Sequence, residues 1–582
     1  MALERVPLIR AVRLALALTA VTLGPVLNAA PGDLDPTFGT GGKVITTVGS
    51  GADYVGGVAL QQDGKIVVAG LSNDSQAHRA VAVVRYTSTG ALDPSFGTGG
   101  MVVYSSSYFS WVTGLALQSD GKIVVVGYGG DGVVGGGASQ GRSIFVLRFT
   151  SAGALDWSFG NFGIVKTNIR DGACAEDVAV QNDGKIVVAG FSYSSSAGKE
   201  DMVLVRYTTT GALDTNFGTG GKVVTPVGSS EDWARSVAVQ SDEKIVIAGS
   251  TRIASGNRDF AVVRYTSTGA LDPDFGSGGI VTTPLGIYND IGSCMVVQSD
   301  GKIVVAGSHG VSLFDWEFAL VRYTGAGVLD EGFGSGGIVT MPGTGGGEDV
   351  ALQSDGKIVV AGYTHDGNSD AFALVRYTGA GALDPTFGAS TGTVVTHVST
   401  YANSDHGTGV AIQSDGRFVV AGNTDANTSS SDVALARYSG GPFTPCEQWK
   451  IDNLGNVNAP DGGNADGDAY VNLAEYGLVL DPAASSSVPG GPHAYPEGTR
   501  LRMIFTRDPA RDDVTITAEV ADDLAGPWTV VASSVFGAPM SGAGYVGGDS
   551  AGAGLNTVEV RDVVNVGDPA HPRRYLRLRV KR

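Results

Sequence analysis

Cysteine is almost missing from this chain. Only Cys174, Cys294 and Cys446 occur in 582 residues, and none sits in a C-x-x-C spacing. That excludes a disulfide-stapled scaffold and leaves free or buried thiols. Positive charge is also short: 39 Lys and Arg stand against 58 Asp and Glu, a formal net charge of −19. A nucleic-acid backbone needs a basic surface, so no nucleic-acid partner is expected. No long segment shows a helical apolar period, and no H-E-x-x-H or P-loop motif is present.

Glycine, by contrast, is abundant, with 88 residues, about twice the usual share. With many Val, Thr and Asp, this composition points to short strands and many turns. The first 30 residues differ from the rest. Arg5, Arg10 and Arg13 precede an apolar stretch from Leu14 to Leu27, and small Ala29 and Ala30 follow. This pattern predicts a cleaved secretory signal, with a retained anchor as the alternative. A membrane span needs roughly 20 apolar residues, and Pro25 interrupts this run. The mature chain is therefore expected outside the cytoplasm, secreted or in the cell envelope, without membrane insertion and as a monomer.

Three signatures recur seven times in fixed order. LDxxFG places Phe at 38, 96, 159, 217, 275, 333 and 387. A QxDGKIVVAG run places Lys or Arg at 65, 122, 185, 244, 302, 357 and 417. A hydrophobic run ends in Arg at 85, 148, 206, 264, 322, 376 and 437, followed by Tyr or Phe. The period is mostly 58 residues, and such self-similarity marks a repeat architecture. Each unit reads as four short strands, typified by GKVVT, SVAVQ, KIVVAG and FAVVRY. Asp-Gly joins the second to the third in six copies, which suits a two-residue hairpin needing positive φ. Asp242-Glu243 is the exception and predicts a strained turn.

IVVAG does not alternate apolar with polar, so both faces of that strand should be buried. Four-stranded antiparallel sheets stacked in a ring bury both faces. The expected fold is all-β: a seven-bladed β-propeller over residues 31–440. The last unit ends without its own GKVVT strand, so residues 43–47 are expected to close the ring as the outermost strand of the blade built from 408–438, the alternative being that each unit folds its own four strands. The repeat resembles the delta-60 repeat family of secreted bacterial proteins, through LDPxFG, DGKIVVAG and VRYT, over residues 33–439. The resemblance implies a β-propeller-like fold and no established activity.

The Asp of LDxxFG and the strand-end Arg occur in every unit. Seven equivalent charges do not make one active site, and the expectation is that each Asp caps a turn or pairs with Arg while the Phe packs beneath. In an antiparallel blade the Asp-Gly turn and the LDxxFG loop share one rim, and both are nearly uniform. The other rim carries loops that vary freely, as YSSSYFSWVTG (104–114) against PVGSSEDWARS (226–236) shows. Binding is expected there, with Tyr108, Trp111, Trp233, Tyr288, Trp316 and Tyr401 as candidate ligand-binding aromatics. The acids Glu231, Asp232, Asp290, Asp315, Asp366 and Asp405 accompany them. His309 and His365, near Asp366, are a weaker hint of acid–base or metal chemistry.

After Gly441 the composition shifts. In residues 441–490, a linker-like stretch, NADGDAYVNLAEY places Asn464, Asp466, Asp468, Asn472 and Glu475 and the Tyr470 carbonyl at EF-hand spacing. It resembles the Ca²⁺ loops of dockerins, with a structural Ca²⁺ implied. Asn at the first position and Ala469 at the sixth depart from that pattern, and Asn472-x-x-Glu475 also fits a helix capping box. Residues 491–582 again read as strands, YLRLRVKR among them, and predict a small β-sandwich. Three functions fit: a non-catalytic propeller binding a carbohydrate or cell-surface ligand, a polysaccharide lyase or hydrolase working in the channel, and a structural envelope component.

Overall fold

The computed structural model describes residues 30–441, apart from 75, 77, 107, 131–140, 255, 314, 344, 366, 368, 400–403 and 428–429, together with seven strands between His493 and Lys581. The expected signal segment and the expected Ca²⁺ loop of Asn464, Asp466, Asp468, Tyr470, Asn472 and Glu475 lie outside the described residues. Every regular element described is a strand.

Residues 43–438 form seven antiparallel sheets of four strands. In the first blade the order from the channel outward is Asp53–Leu60, Ile66–Asn73, Arg79–Tyr86 and Met101–Ser105. Each blade thus takes SVAVQ, KIVVAG, FAVVRY and then the GKVVT of the following signature. The seventh blade lacks a strand of its own at the outside. Lys43–Thr46 fills that place against Ser430–Tyr438, in a register running from Lys43 opposite Ala436 to Thr46 opposite Val433. The ring therefore closes with the N-terminal strand, as the sequence predicts, and the strand edge that would otherwise stay open is paired.

The continuous apolar runs are explained by which neighbour each side chain meets. Ile66 and Val68 pack with Val419 and Leu435 of the seventh blade, while Val67 and Ala69 pack with Val125 and Phe145 of the second. Alternate residues of one strand serve different interfaces, so none can be polar. The core lies in layers between neighbouring blades rather than in one central mass.

Two polar devices repeat through these layers. The strand-end Tyr donates its buried hydroxyl to a Thr of the preceding blade's outermost strand: Tyr86 to Thr46 at 2.9 Å, and Tyr207 to Thr167, Tyr265 to Thr225 and Tyr323 to Thr283 at 2.7 Å. In the second blade both partners change together, with Phe149 and Tyr104 in those places. In the sixth blade only one changes: Met341 replaces Thr, and the buried Tyr377 hydroxyl has no partner. The second device is the LDxxFG loop. Arg206 Nε pairs with Asp214 at 3.0 Å, its guanidinium lies 4.4 Å from the Phe217 ring centre, and its Nη1 donates to the Ser267 carbonyl of the next blade at 2.5 Å. Asp214 also accepts from the Asn216 backbone N–H at 3.1 Å. The repeated Asp, Arg and Phe are therefore a clamp between blades. Glu243, in the odd Asp-Glu turn, has φ 63, the strain predicted where six other turns use glycine.

Beyond the propeller, seven strands form two antiparallel sheets, of four and three strands. They include Arg500–Arg507, Thr515–Ala521 and Tyr575–Lys581.

Candidate functional site

The innermost strands of the seven blades contact one another around the ring and wall its channel. Each carries a β-bulge at the same place, in the register shift between Ala175 and Asp177 and its counterparts. A bulge leaves one residue unpaired and re-aims its side chain. The seven bulged residues are Gly56, Thr113, Glu176, Arg235, Ser293, Glu348 and Thr408. Four are small and neutral. Three are charged, on the third, fourth and sixth blades, and all three are half-buried.

The residue after the bulge has a structural task. Asp177 accepts from the Val237 N–H of the next blade at 2.8 Å, Asp349 from Val410 at 2.8 Å, and Ser236 Oγ from Met295 at 3.2 Å. Glu176 and Glu348 make no such latch. Burial pushes the Glu176 carboxyl up to about 7 against the opposing pull of Arg235, and burial likewise raises Glu348, opposed by Arg235 and His406. Asp177 rises to about 6 and Asp349 to about 7, again chiefly through burial. Arg235 thus acts on carboxylates of two blades, yet its buried Nε has no hydrogen-bond partner. Such a group of protonatable carboxyls and one guanidinium could exchange protons near neutral pH or hold a polar ligand by charge-assisted hydrogen bonds.

At the variable rim the predicted residues divide. Asp232, Asp290 and Asp405, with Asp53, stand at the start of inner strands and tie down the connecting loop. Asp232 accepts from Val227 N–H at 2.7 Å and Asp290 from Leu285 N–H at 2.8 Å. Glu231 pairs with Arg258 and, at 3.3 Å, with Arg252. Asp315 accepts from Ser312 Oγ at 2.6 Å. These acids are loop fasteners. Tyr108 is 7% exposed and belongs to the core between the first two blades. Trp111 is half-buried against Tyr54 of the first blade, ring centres 5.1 Å apart. Trp233 is stacked on Phe191 at 5.4 Å, meets the Arg258 guanidinium at 3.8 Å, and donates Nε1–H to Glu200 at 2.6 Å. Tyr288, on a loop of the fifth blade, and Trp316, at the start of its strand Trp316–Tyr323, are half-buried. Tyr401 and Asp366 lie outside the described residues.

The two histidines do not converge. His309 Nδ1 is 2.6 Å from Asp290 and serves that loop fastening. His365 Nδ1 is 3.1 Å from Asp370, whose other oxygen is 2.8 Å from His406 Nε2. Tyr363 stacks on His406 at 4.5 Å. Asp370 therefore joins His365 to a histidine of the next blade. Among the described residues no group of three or more His, Cys, Asp or Glu is arranged for a metal ion. Sequence reasoning passed over Glu176, Arg235, Glu348, Asp370 and His406. A signal existed for the first three: AEDVAV, ARSVAV and GEDVAL put charge into a strand that elsewhere carries only small or apolar residues at that place.

A family model described as "Domain of unknown function (DUF5122) beta-propeller" matches residues 61–96, 118–159, 181–217, 240–275, 298–333, 353–387 and 413–439. The chain is a repeat β-propeller protein. Each matched segment begins at the turn between the second and third strands, and six of the seven end at the Phe of an LDxxFG loop, so the match covers the uniform part of each blade. No curated protein sequence matches this propeller protein. Solved structures with a similar course include a protein of unknown function from Dyadobacter fermentans, at TM-score 0.34 and 13% identity over 69% of this chain and 99% of that one. Another is a polysaccharide lyase, an ulvan lyase, at TM-score 0.37 and 11% identity over 71% and 95%. A glucose dehydrogenase follows at 0.33 and 11% over 68% and 100%. Likeness at this level carries no argument about substrate or chemistry.

Proposed function

We propose that this repeat propeller is an exported, non-catalytic binding protein of the delta-60 kind, taking a carbohydrate or cell-surface ligand at its variable rim. One observation carries the reading: the Asp-Gly turns and Arg–Asp–Phe clamps are spent on holding blades together, whereas the opposite rim differs from blade to blade. Loops on a rigid scaffold are where recognition collects. Trp111 with Tyr54, and Tyr363 with His406 and Asp370, are the half-buried groups there best suited to a polar ligand with an apolar face. The Asn464–Glu475 loop would hold a structural Ca²⁺, and the C-terminal strands a small accessory sandwich.

A second reading is a polysaccharide lyase or hydrolase, favoured by the raised carboxyls of Glu176 and Glu348 beside Arg235 in the channel. A glycan panel with product analysis separates the two. Retention without new reducing ends or unsaturated products supports binding. Turnover that Glu176→Gln and Glu348→Gln abolish would replace it with the enzyme. No retention of any glycan or cell surface would remove both.

A further inference from the structure

Two loops of the otherwise uniform rim depart from its pattern: 383–392 is one residue longer and holds Ala389 and Ser390 at φ 52 and 73, and the second blade's loop carries aromatics. Where the first blade reads LDPSFGTGG, the second reads LDWSFGNFG (155–163). Pro36, Pro94, Pro273 and Pro385 occupy the place of Trp157 in other loops, and Thr215 and Glu331 in the remaining two. The place of Phe162 is held by Gly41, Gly99, Gly220, Gly278 and Gly336, whose φ values are 60, 62, 59, 61 and 63. Phe162 adopts φ 53. A bulky L residue in this left-handed region costs on the order of 1 kcal/mol.

Packing does not offset that cost. A Cβ added to any of those five glycines meets nothing within 4 Å. Phe162 is 66% exposed and Trp157 is 74% exposed, and they are the only exposed Phe, Tyr or Trp side chains among the described residues of the propeller. Their rings meet edge to face, centres 5.9 Å apart at 84°, and so form two walls of a right-angled corner. The loop beneath is fixed. Asp156 accepts from Ser158 N–H at 3.1 Å and pairs with Arg148 at 2.9 Å, and Gly160 N–H donates to the Thr210 carbonyl of the next blade at 2.8 Å. Backbone strain held in place by its surroundings, with no packing return, is characteristic of a functional position.

The size of the corner selects its occupant. An aromatic side chain buries about 150–250 Å² when fully covered, so this pair offers roughly 300 Å². A stable protein interface needs about 800 Å² from each partner. A small flat group with one apolar face and polar edges fits better. We propose that Trp157 and Phe162 form a subsite for a neutral pyranose ring of a glycan, on the rim opposite the variable loops. The C–H face of the sugar stacks on one ring while its edge meets the other. The neighbouring Asn161, exposed beside Phe162, is placed to serve the hydroxyls. A neutral sugar is chosen because the chain carries a net charge of −19, and the nearby Arg148 and Lys122 are paired with Asp156 at 2.9 and 3.9 Å.

The test is native affinity electrophoresis of the full chain in gels containing galactomannan, amylopectin or mixed-linkage β-glucan. Phe162→Gly and Trp157→Thr restore residues that other blades already use, so both variants should fold. Retardation of the wild type by at least one polysaccharide is expected, with apparent affinity about tenfold weaker in each variant, a loss of about 1.4 kcal/mol. Phe162→Gly should melt at the same temperature or higher, a result that a packing role would reverse. Absence of retardation on all three polysaccharides overturns the proposal, as does equal retardation of both variants. A wild-type dimer that Phe162→Gly dissociates would overturn it in favour of contact between copies. Retardation lost in Trp111→Ala but kept in Phe162→Gly would overturn it while leaving the variable-rim reading in place.

Discussion

Arg437 and Asp35 come from opposite ends of the propeller, and their side chains meet at 2.8 Å in the same clamp that joins residues eight apart in the other blades. The Arg437 guanidinium lies 4.7 Å from the Phe38 ring centre and is 4% exposed. Breaking one side of a buried ion pair costs about 3–5 kcal/mol. Asp35→Ala should therefore destabilise by that order. The double variant Asp35→Ala with Arg437→Met should lose less than the sum of its single changes by about 1 kcal/mol or more, since the two residues share one interaction. Urea unfolding of the four proteins checks this, and strict additivity would refute it.

The closing strand makes a separate prediction. Removing residues 31–46 exposes the edge of Ser430–Tyr438, and an open apolar edge templates association. The shortened chain should aggregate or form oligomers, while addition of a peptide spanning 31–47 should return it to monomer. Light scattering reads both outcomes.

Tyr377 gives the simplest stability test. Its hydroxyl is buried without a partner because Met341 stands where neighbouring blades have Thr. Met341→Thr restores the acceptor. A buried hydrogen bond contributes about 0.5–1.5 kcal/mol, partly offset by the smaller side chain. A net gain of up to about 1 kcal/mol is expected in chemical denaturation. Met341→Ala, which supplies no acceptor, should destabilise.

Glu243 sits between two opposed effects. Its φ of 63 is strained, but its carboxylate accepts from Gln181 Nε2 at 3.0 Å and Asn182 Nδ2 at 2.8 Å on the preceding blade. Glu243→Gly relieves the strain and loses the bonds, so stability should change by less than about 1 kcal/mol. Glu243→Ala loses the bonds and keeps the strain, and should be the least stable of the three. An alanine variant as stable as the glycine variant would contradict the account.

Stability should also depend on pH in two opposite ways. Burial raises the Glu176, Asp177 and Asp349 carboxyls to about 7, 6 and 7. A carboxyl whose pKa is higher folded than unfolded contributes stability below its unfolded value, near 4, and loses it as pH rises through its folded value. For Asp93, burial pushes upward, but the Ser95 hydrogen bonds and the Arg85 and Lys65 charges prevail and lower it to about 2. Its contribution is present above about pH 4 and disappears as pH falls toward 2. The urea midpoint should therefore rise from pH 8 to pH 5 and fall below pH 4. Glu176→Gln should flatten the upper limb and leave the acid limb intact.

The repeat architecture was legible because its causes are local. Period, turn chemistry and uninterrupted apolar strands are properties of neighbouring residues, and a strand with two apolar faces admits few partners. The seven blades, the four strands of each and the closing role of Lys43–Thr46 follow from that reasoning. The same uniformity marked the repeated Asp, Arg and Phe as scaffold. The candidate site was less legible. Trp111, Trp233, Tyr288 and Trp316 do lie at or near the variable rim, but Tyr108 is packed in the core and Asp232, Asp290 and Asp405 fasten loops. Whether a loop side chain faces solvent or its own backbone depends on contacts that composition does not carry.

The sequence by itself determined the number of blades, their strand order and which rim varies, because copying one unit multiplies one set of local preferences. Only the tertiary structure decided what the exceptions do. It brought the charge of Arg235 to bear on Glu176 and Glu348 from different blades, joined His365 to His406 through Asp370, and left Trp157 and Phe162 in the open. The physical reason is distance: these groups lie far apart along the chain or face empty space, and only closing the ring sets which side chains share a channel and which have no neighbour.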